Sequence, residues 1–521
     1  MPFNRSSGVL AHPTSFPGAH GVGDLGESAF RFIDWLQRAG QRYWQIMPLV
    51  PIGPGNSPYA SVSAFAGNPL LISLPWLVGD GLLEWADLND SPWFSPSVVD
   101  FEGATTYKER KFRRAFDLFR SGAAPQLRGD LEAFLGSEAS WVGDFAFFLA
   151  AKAFHNEAGW TQWAPELAFR TPDGLQEWRE RLANEIAYHE FVQFLFRWQW
   201  RGLKTYANER DIQVIGDIPI FVAHDSADVW ANQSLFRLDA EGQPTVVAGV
   251  PPDYFSETGQ LWGNPHYDWP AMAANGYGWW IDRFRSLMNL VDVVRIDHFR
   301  GFAASWVVPA VAATAASGRW EQGPGRSIFD ALQDGIGGVE IIVEDLGLIT
   351  SDVHQLRREL GLPGMAVLQF AFDGDSFNTY LPHNYADPVV VYPGTHDNQT
   401  TIGWFESIDE RTRNQVQTYL GRDGGDIAWD LIRLALGSTA DLAVFSLQDV
   451  LRLDDSARMN IPGTGTGNWS WRFSLDQLEA GLAHGIDTFV KSYGRTGMKK
   501  VQTHFDPYDY TAPNAQYPLH I

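Results

Sequence analysis

The chain has 521 residues, of which 45% are hydrophobic and 19% are charged, a balance typical of a globular protein with a large core. Its 39 basic and 62 acidic side chains give a formal net charge of −23, which argues against nucleic acid or an anionic membrane as a partner and permits a neutral substrate. The absence of cysteine excludes disulfides and thiolate metal sites. Because the N-terminus lacks the apolar core of a signal peptide and no apolar run is long enough to span a membrane, we expect a cytoplasmic location.

The chain opens with a strand–helix–strand pattern. Apolar runs at 7–13 and 42–49 predict two strands, and an apolar stripe predicts a helix from Ser28 to Ala39 between them. A loop of small residues follows at 57–69. Helical patterns then dominate from 75 to 210, which predicts a mostly helical insertion after the second strand.

The strand rhythm resumes after the predicted helical insertion. Six further apolar runs lie at 212–222, 291–299, 339–347, 365–372, 388–397 and 442–450. Together with the first two, these runs predict an α/β fold in which eight strands alternate with helices, a (β/α)₈ TIM barrel that spans the chain as one catalytic domain. A doubly wound open sheet is the alternative, but no early strand precedes a G-x-G-x-x-G turn.

A second insertion is predicted at 230–285, between the third and fourth strands. Its segment 251–269 carries aromatic residues, including Trp262, among glycines and prolines. Flat rings on loops suit sugars, whose C–H faces stack on aromatic side chains, so we expect this segment to form a lid over the active site. Some rings are expected to fill loop cores instead, Trp269 and Trp471 among them.

Acidic residues end four of the predicted strands. Asp217 ends VIGD in the third run, Asp297 ends VVRID in the fourth, Glu344 and Asp345 end IIVED in the fifth, and Asp397 lies in PGTHDN at the end of the seventh. One such acid would be an ordinary helix cap or loop residue. Because the C-terminal strand ends of a barrel face the active site, four acids at these positions favour a functional cluster.

Arg295 helps to distinguish two chemistries that such a cluster could perform. Side chains alternate along a strand, so Arg295 and Asp297 point the same way, and a structural ion pair is the simplest interpretation. Three carboxylates could hold Mg²⁺ in a lyase or isomerase, but that scheme also needs a strand-end Lys or His base. Glycosyl transfer needs one ionised and one protonated carboxyl group; Arg295 would keep Asp297 ionised, with Asp217 as the counter-charge to Arg295.

Five stretches carry a family resemblance. SPYASVSAFAGNP (57–69), GDIPIFVAHDSADVW (216–230), VRIDHFRG, IIVEDLG and PGTHDN occur in that order and closely resemble the motifs of the 4-α-glucanotransferases, also called amylomaltases or disproportionating enzymes. These form glycoside hydrolase family 77 of the α-amylase clan. The resemblance extends from residue 7 to about residue 505.

The resemblance implies roles for individual residues. Asp297 matches the nucleophile, Glu344 the general acid/base, and Asp397 the acid that holds the 2- and 3-hydroxyls of the reacting sugar. Arg295 matches the arginine beside the nucleophile, and His396 matches a histidine that binds the same sugar. Further substrate-binding or lid positions are implied at Ser57, Tyr59, Asp217, Tyr254, Phe255, Trp262, His298 and Asn468.

The implied reaction is a retaining transfer of α-1,4-glucan segments through a covalent glucosyl-enzyme. The donor would be a maltooligosaccharide or amylose, and the acceptor the 4-hydroxyl of another glucan or of glucose. This chemistry requires no metal or organic cofactor. The alternatives are an α-glucan hydrolase or branching enzyme of the same clan, a Mg²⁺-dependent barrel lyase or isomerase, and a glucan-binding barrel without activity. The sequence predicts no oligomeric state.

Overall fold

The computed structural model describes residues 3–252, 257–347 and 349–497. Twelve strands are present in these ranges. They are β1 (Ser6–Leu10), β2 (Tyr43–Gln45), β3 (Gln213–Pro219), β4 (Val246–Val250), β5 (Gln260–Pro265), β6 (Val293–Asp297), β7 (Ala304–Pro309), β8 (Arg319–Gln322), β9 (Glu340–Val343), β10 (Gly364–Val367), β11 (Val389–Tyr392) and β12 (Leu442–Ser446).

Eight of these strands form one parallel sheet in the order β10-β11-β12-β1-β2-β3-β6-β9. Its two end strands lie side by side, since the Val343 N–H donates to the Pro363 carbonyl at 3.0 Å. The Asp345 side chain accepts the Met365 N–H at 2.8 Å across the same seam. The sheet is therefore a nearly closed barrel, and the predicted (β/α)₈ fold is confirmed.

The barrel interior explains why the strand sequences are nearly continuous apolar runs. One core cluster takes alternate residues from all eight strands, including Ile215 on β3, Val293 on β6 and Val444 on β12. The opposite strand faces pack against the helices in a second, larger core. Both faces of each strand are thus buried, which requires apolar residues on both. On β6, Arg295 and Asp297 share the interior face with Val293 because side chains alternate.

Nineteen α-helices lie in the part of the chain that the structure describes. They are α1 (Glu27–Arg38), α2 (Leu74–Gly79), α3 (Phe101–Arg120), α4 (Leu127–Ser137), α5 (Val142–Phe154), α6 (Pro165–Ala168), α7 (Pro172–Arg181), α8 (Ala183–Asn208), α9 (Ala227–Ala231), α10 (Trp269–Ala274), α11 (Gly278–Leu290), α12 (Arg300–Ala303), α13 (Arg326–Ile336), α14 (Ser351–Leu360), α15 (Thr401–Ser407), α16 (Glu410–Leu420), α17 (Ile427–Gly437), α18 (Leu447–Val450) and α19 (Ala480–Ser492). None of the described helices is long and apolar enough to cross a membrane.

Helices α2 to α8 lie between β2 and β3 in the chain and are fastened by buried polar side chains. Lys108 on α3 is fully buried, and its Nζ donates to the Leu70 and Ile72 carbonyls at 2.6 and 2.9 Å. Asp24 lies 3.6 Å from the same nitrogen and supplies the opposite charge. Buried charges need such partners, so these bonds fix the helices to the loop that follows β2.

A second sheet, which the sequence patterns did not predict, lies beside the barrel. It is antiparallel, with the strand order β5-β4-β7-β8, and it combines segments from both sides of β6 in the chain. Its strand β5 carries Trp262, whose ring packs edge-to-face on His298 with centroids 4.8 Å apart. The sheet thereby places an aromatic side chain next to the C-terminal end of β6.

Candidate active site

Arg295 is the centre of a buried charge cluster. Its Nη1 lies 2.5 Å from Asp217 Oδ2 and 3.2 Å from Asp297 Oδ1. The Arg295 and Asp217 side chains are 3% and 1% exposed, whereas the Asp297 side chain is 26% exposed. The counter-charge predicted from the sequence is therefore present, and of the three groups Asp297 is the one that a substrate can reach.

Tyr59 and His396 extend this cluster. The Tyr59 hydroxyl lies 2.8 Å from Asp217 Oδ2 and 3.0 Å from His396 Nε2, and the two rings stack at 5.3 Å. An ionised carboxylate only accepts hydrogen bonds, so Tyr59 donates its proton to Asp217 and its oxygen accepts from His396. Burial lowers the pKa of His396, which keeps the ring neutral, and this hydrogen bond assigns the remaining proton to Nε2.

Glu344 is positioned by the backbone that follows the nucleophile candidate. Its Oε2 accepts the His298 N–H at 2.6 Å, and its own N–H donates to the Ile296 carbonyl at 2.9 Å. His298 has φ of +55°, in the left-handed region that non-glycine residues rarely occupy. Such backbone outliers persist where the surrounding structure fixes them, and here the turn aims an N–H at the Glu344 carboxyl group.

Asp397 is held by two residues that sequence analysis missed. Asn460 Nδ2 donates to Asp397 Oδ1 at 2.7 Å, and Arg458 Nη2 donates to the Asp397 carbonyl at 2.8 Å. His396 Nε2 lies 3.4 Å from Asp397 Oδ2. Asn460 and Arg458 lie in a loop after β12, where no periodicity or motif marks them, so only their contact with Asp397 identifies them.

The two carboxyl groups nearest the C-terminal end of β6 have perturbed pKa values. Burial raises the pKa of Asp297 and the guanidinium of Arg295 opposes the rise. Burial also raises the pKa of Glu344, again opposed by Arg295 and by the hydrogen bond from the His298 N–H. Two carboxyl groups buried side by side are characteristic of acid/base sites, because one of the two then keeps a proton near neutral pH.

The remaining predicted site residues have different surroundings. Ser57 Oγ accepts the Tyr59 N–H at 3.1 Å and so shapes the loop that presents Tyr59. Both side-chain atoms of Asn468 bond within its own loop, to Ile461 and Thr464. Trp262 is 39% exposed and covers His298. Tyr254 and Phe255 lie outside the described residues.

The rings that the sequence assigned to loop cores are partly buried. Trp269 and Trp471 both pack against the main core, and Trp269 also begins helix α10. Within the described ranges, no group of three or more His, Asp or Glu side chains is arranged to hold a metal ion. The carboxyl cluster contains one nucleophile candidate, one proton donor candidate and one further acid.

Comparison with known proteins finds relatives that match along most of the chain. A family model described as 4-alpha-glucanotransferase, glycoside hydrolase family 77, matches residues 11–477. A 4-alpha-glucanotransferase of Synechocystis is 49% identical over 94% of this chain and 98% of its own length. One of Thermus thermophilus is 47% identical over 92% of this chain and 96% of its own. The solved structure of the amylomaltase from Streptococcus agalactiae in complex with acarbose has 37% identity and a TM-score of 0.90, covering 94% of this chain and all of that one.

Proposed function

Because the chain belongs to the 4-α-glucanotransferase family, glycoside hydrolase family 77, we propose that its buried carboxyl cluster performs the transfer by a retaining, covalent mechanism. The enzyme is a 4-α-glucanotransferase acting on α-glucans. The observation that carries the mechanism is the position of Arg295 between Asp217 and the more exposed Asp297. Glu344 lies beside them, held by the N–H of the residue that follows Asp297.

In the first step Asp297 Oδ attacks the anomeric carbon of the donor while Glu344 gives its proton to the leaving glycosidic oxygen. The C–O bond to the leaving chain breaks as the bond to Asp297 forms, which yields a β-linked glucosyl-enzyme. Asp397 binds the 2- and 3-hydroxyls of the sugar and so stabilises the oxocarbenium-like charge. Such a mechanism requires the two carboxyl groups to lie about 5–5.5 Å apart.

In the second step Glu344 removes the proton from the 4-hydroxyl of an acceptor glucan or glucose. The acceptor oxygen then attacks the anomeric carbon, and the bond to Asp297 breaks. Two inversions at one carbon restore the α-1,4 linkage. The donors we propose are maltooligosaccharides, amylose and fragments of starch or glycogen.

The proton of the pair resides on Glu344. Asp297 is in an ion pair with the guanidinium of Arg295, which favours its charged form, whereas Glu344 accepts a neutral backbone N–H. Burial raises the pKa of both carboxyl groups, so the pair keeps a proton above the ordinary range of a carboxylic acid. The direct ion pair of Asp297 with Arg295 is the reason for placing that proton on Glu344. This assignment gives each carboxyl group the protonation state that its step needs.

Transfer rather than hydrolysis requires water to be excluded from the glucosyl-enzyme. We propose that the insertion at 230–285 acts as the lid, with Tyr254, Phe255 and Trp262 as its sugar-facing rings. The contact of Trp262 with His298 supports this role. We also infer a cytoplasmic location from the lack of cysteine, which cell fractionation would test.

A labelling experiment tests the assignment of the two carboxyl groups. The Glu344→Gln enzyme is incubated with α-maltosyl fluoride, whose leaving group needs no acid, and the digested protein is analysed by mass spectrometry. We expect a maltosyl adduct on Asp297, because the second step lacks its base. An adduct on another residue would contradict the mechanism. The absence of any adduct on a variant that is folded and binds substrate would contradict it as well.

The matched loss-of-function pair is Asp297→Asn and Asp292→Asn. Asp292 lies at the opposite end of the same strand region and accepts the Val214 N–H at 2.8 Å. Asp297→Asn should lose glucose release from maltotriose by several orders of magnitude, while Asp292→Asn should retain it. The same maltotriose assay separates the alternatives, because a hydrolase gives glucose and maltose whereas a transferase also gives longer oligomers.

A further inference from the structure

A second buried arginine, Arg283 on α11, has no part in the mechanism above. The residue is 3% exposed, and its Nη2 donates to the Pro219 carbonyl at 2.7 Å. Its Nε and Nη1 have no hydrogen-bond partner in the described part of the chain. The rings of Trp279 and Trp280 lie 5.3 and 5.0 Å from the guanidinium and compensate part of its charge. Tyr267 and Asp228 also act on this cation, but its two unpaired donor nitrogens still call for further polar partners.

Arg283 borders a cavity of about 40 Å³ that also reaches Asp217 and Tyr59. Asp217 Oδ2 accepts from Arg295 and Tyr59, but the buried Oδ1 has no hydrogen-bond partner among the described residues. A water molecule needs roughly 10–15 Å³ of such space and two to four polar partners. The cavity therefore has room for about three or four waters, with an unpaired acceptor on Asp217 and unpaired donors on Arg283 to bind them.

The charge balance of the catalytic cluster gives these waters a function. With the proton on Glu344, the guanidinium of Arg295 is shared between two acidic side chains, Asp217 and Asp297. Additional positive charge nearby would stabilise this arrangement. Arg283 supplies a buried positive charge that lines the same cavity as Asp217.

We infer that Arg283 is a positioning residue for the transfer reaction, joined to Asp217 Oδ1 by ordered water in this cavity. Both carboxylate oxygens of Asp217 are then bonded, one by Arg295 and Tyr59 and the other by water. Asp217 in turn keeps Arg295 aimed at Asp297. This inference rests on the proposed role of Asp297 as the nucleophile, because Arg283 acts on the reaction through that ion pair.

The test compares Arg283→Met with Arg283→Lys. The groups that act on Arg283 from the neighbouring elements are Tyr267 and Asp228, and neither is changed. Arg283→Met removes the charge, so kcat/KM for maltotriose should fall about tenfold. The acid limb of the pH profile of kcat/KM should move up by about half a pH unit. Arg283→Lys keeps the charge and should keep the acid limb of the unmodified enzyme.

Arg197→Met is the matched control for a lost buried cation. Arg197 bonds Ser286, which lines the cavity, but its own ion pair is to Glu138, 3.6 Å away. This variant should lower the melting temperature without moving the acid limb. Equal acid limbs in Arg283→Met and the unmodified enzyme, or an equal shift in Arg197→Met, would overturn the inference.

A high-resolution crystal structure of the unmodified protein gives a readout independent of kinetics and of any variant that fails to fold. Ordered water bonded to both Asp217 Oδ1 and Arg283 is the expected result. A cavity without water would overturn the inference even if Asp297 proves to be the nucleophile. An adduct elsewhere in the labelling experiment would instead overturn the proposed mechanism, whatever the cavity contains.

Discussion

The hydrogen bond from Asn460 to Asp397 gives the most quantitative prediction for the reaction. Its length is 2.7 Å, and removing a hydrogen bond to a charged group costs about 1.5–3 kcal/mol when both partners are buried. The Asp397 side chain is 43% exposed, so water can replace part of the bond. We therefore expect Asn460→Ala to cost about 1–2 kcal/mol of transition-state stabilisation, which is roughly a 5- to 30-fold loss in kcat/KM.

The loss should fall mainly on kcat. Hydrogen bonds between a carboxylate and the sugar hydroxyls strengthen as the oxocarbenium-like charge develops, so a misplaced Asp397 weakens the transition state more than the bound substrate. Asn460→Asp should lose more activity than Asn460→Ala, because it places a like charge against Asp397. The unmodified enzyme and the two Asn460 variants are compared by their initial rates of glucose release from maltotriose.

Asn208→Ala is the control for this prediction. Asn208 Nδ2 donates to Asp292 Oδ2 at 2.9 Å, the same chemical bond at the other end of the barrel. That variant should change the melting temperature and leave kcat/KM unaltered. An Asn460→Ala enzyme within twofold of the unmodified protein, or an Asn208→Ala enzyme with an equal loss, would refute the proposed function of this bond.

Three further predictions concern the rest of the site. Burial raises the pKa of Glu344 above its ordinary value of 4.5, and the group must be protonated to act, so kcat/KM should fall as pH rises through that pKa. A pH series of the unmodified enzyme without such a basic limb would contradict this role of Glu344. Tyr59→Phe removes the hydrogen bond to Asp217 and the acceptor for His396. The free energy of unfolding from urea denaturation should therefore fall by about 1.5–3 kcal/mol, and kcat/KM should fall about tenfold. Unchanged values would show that this hydrogen-bond network does not support the site. Trp262→Ala should raise the ratio of hydrolysis to transfer by admitting water beside His298, and an equal product ratio by chromatography would count against its lid role.

Several features of the fold and the site follow from local sequence alone. The barrel strands are apolar on both faces, so their positions are visible as runs such as VVRID, and the strand-end acids mark the reactive edge. Helix α14 also ends on a local signal, because the residue directly after it is Gly361, which adopts φ of +66°. These signals work because periodicity, caps and strand ends depend on neighbours within a few residues.

The second sheet and the supports of the acids depend on contacts between distant parts of the chain. Asn460 meets Asp397 across 63 residues, and Arg283 on α11 lines the same cavity as Asp217 on β3. No local pattern reports such pairs, because loop conformation and burial are fixed only when the whole chain packs. The sequence thus determined the barrel and the acids that we propose for catalysis, whereas tertiary packing decided which side chains orient those acids.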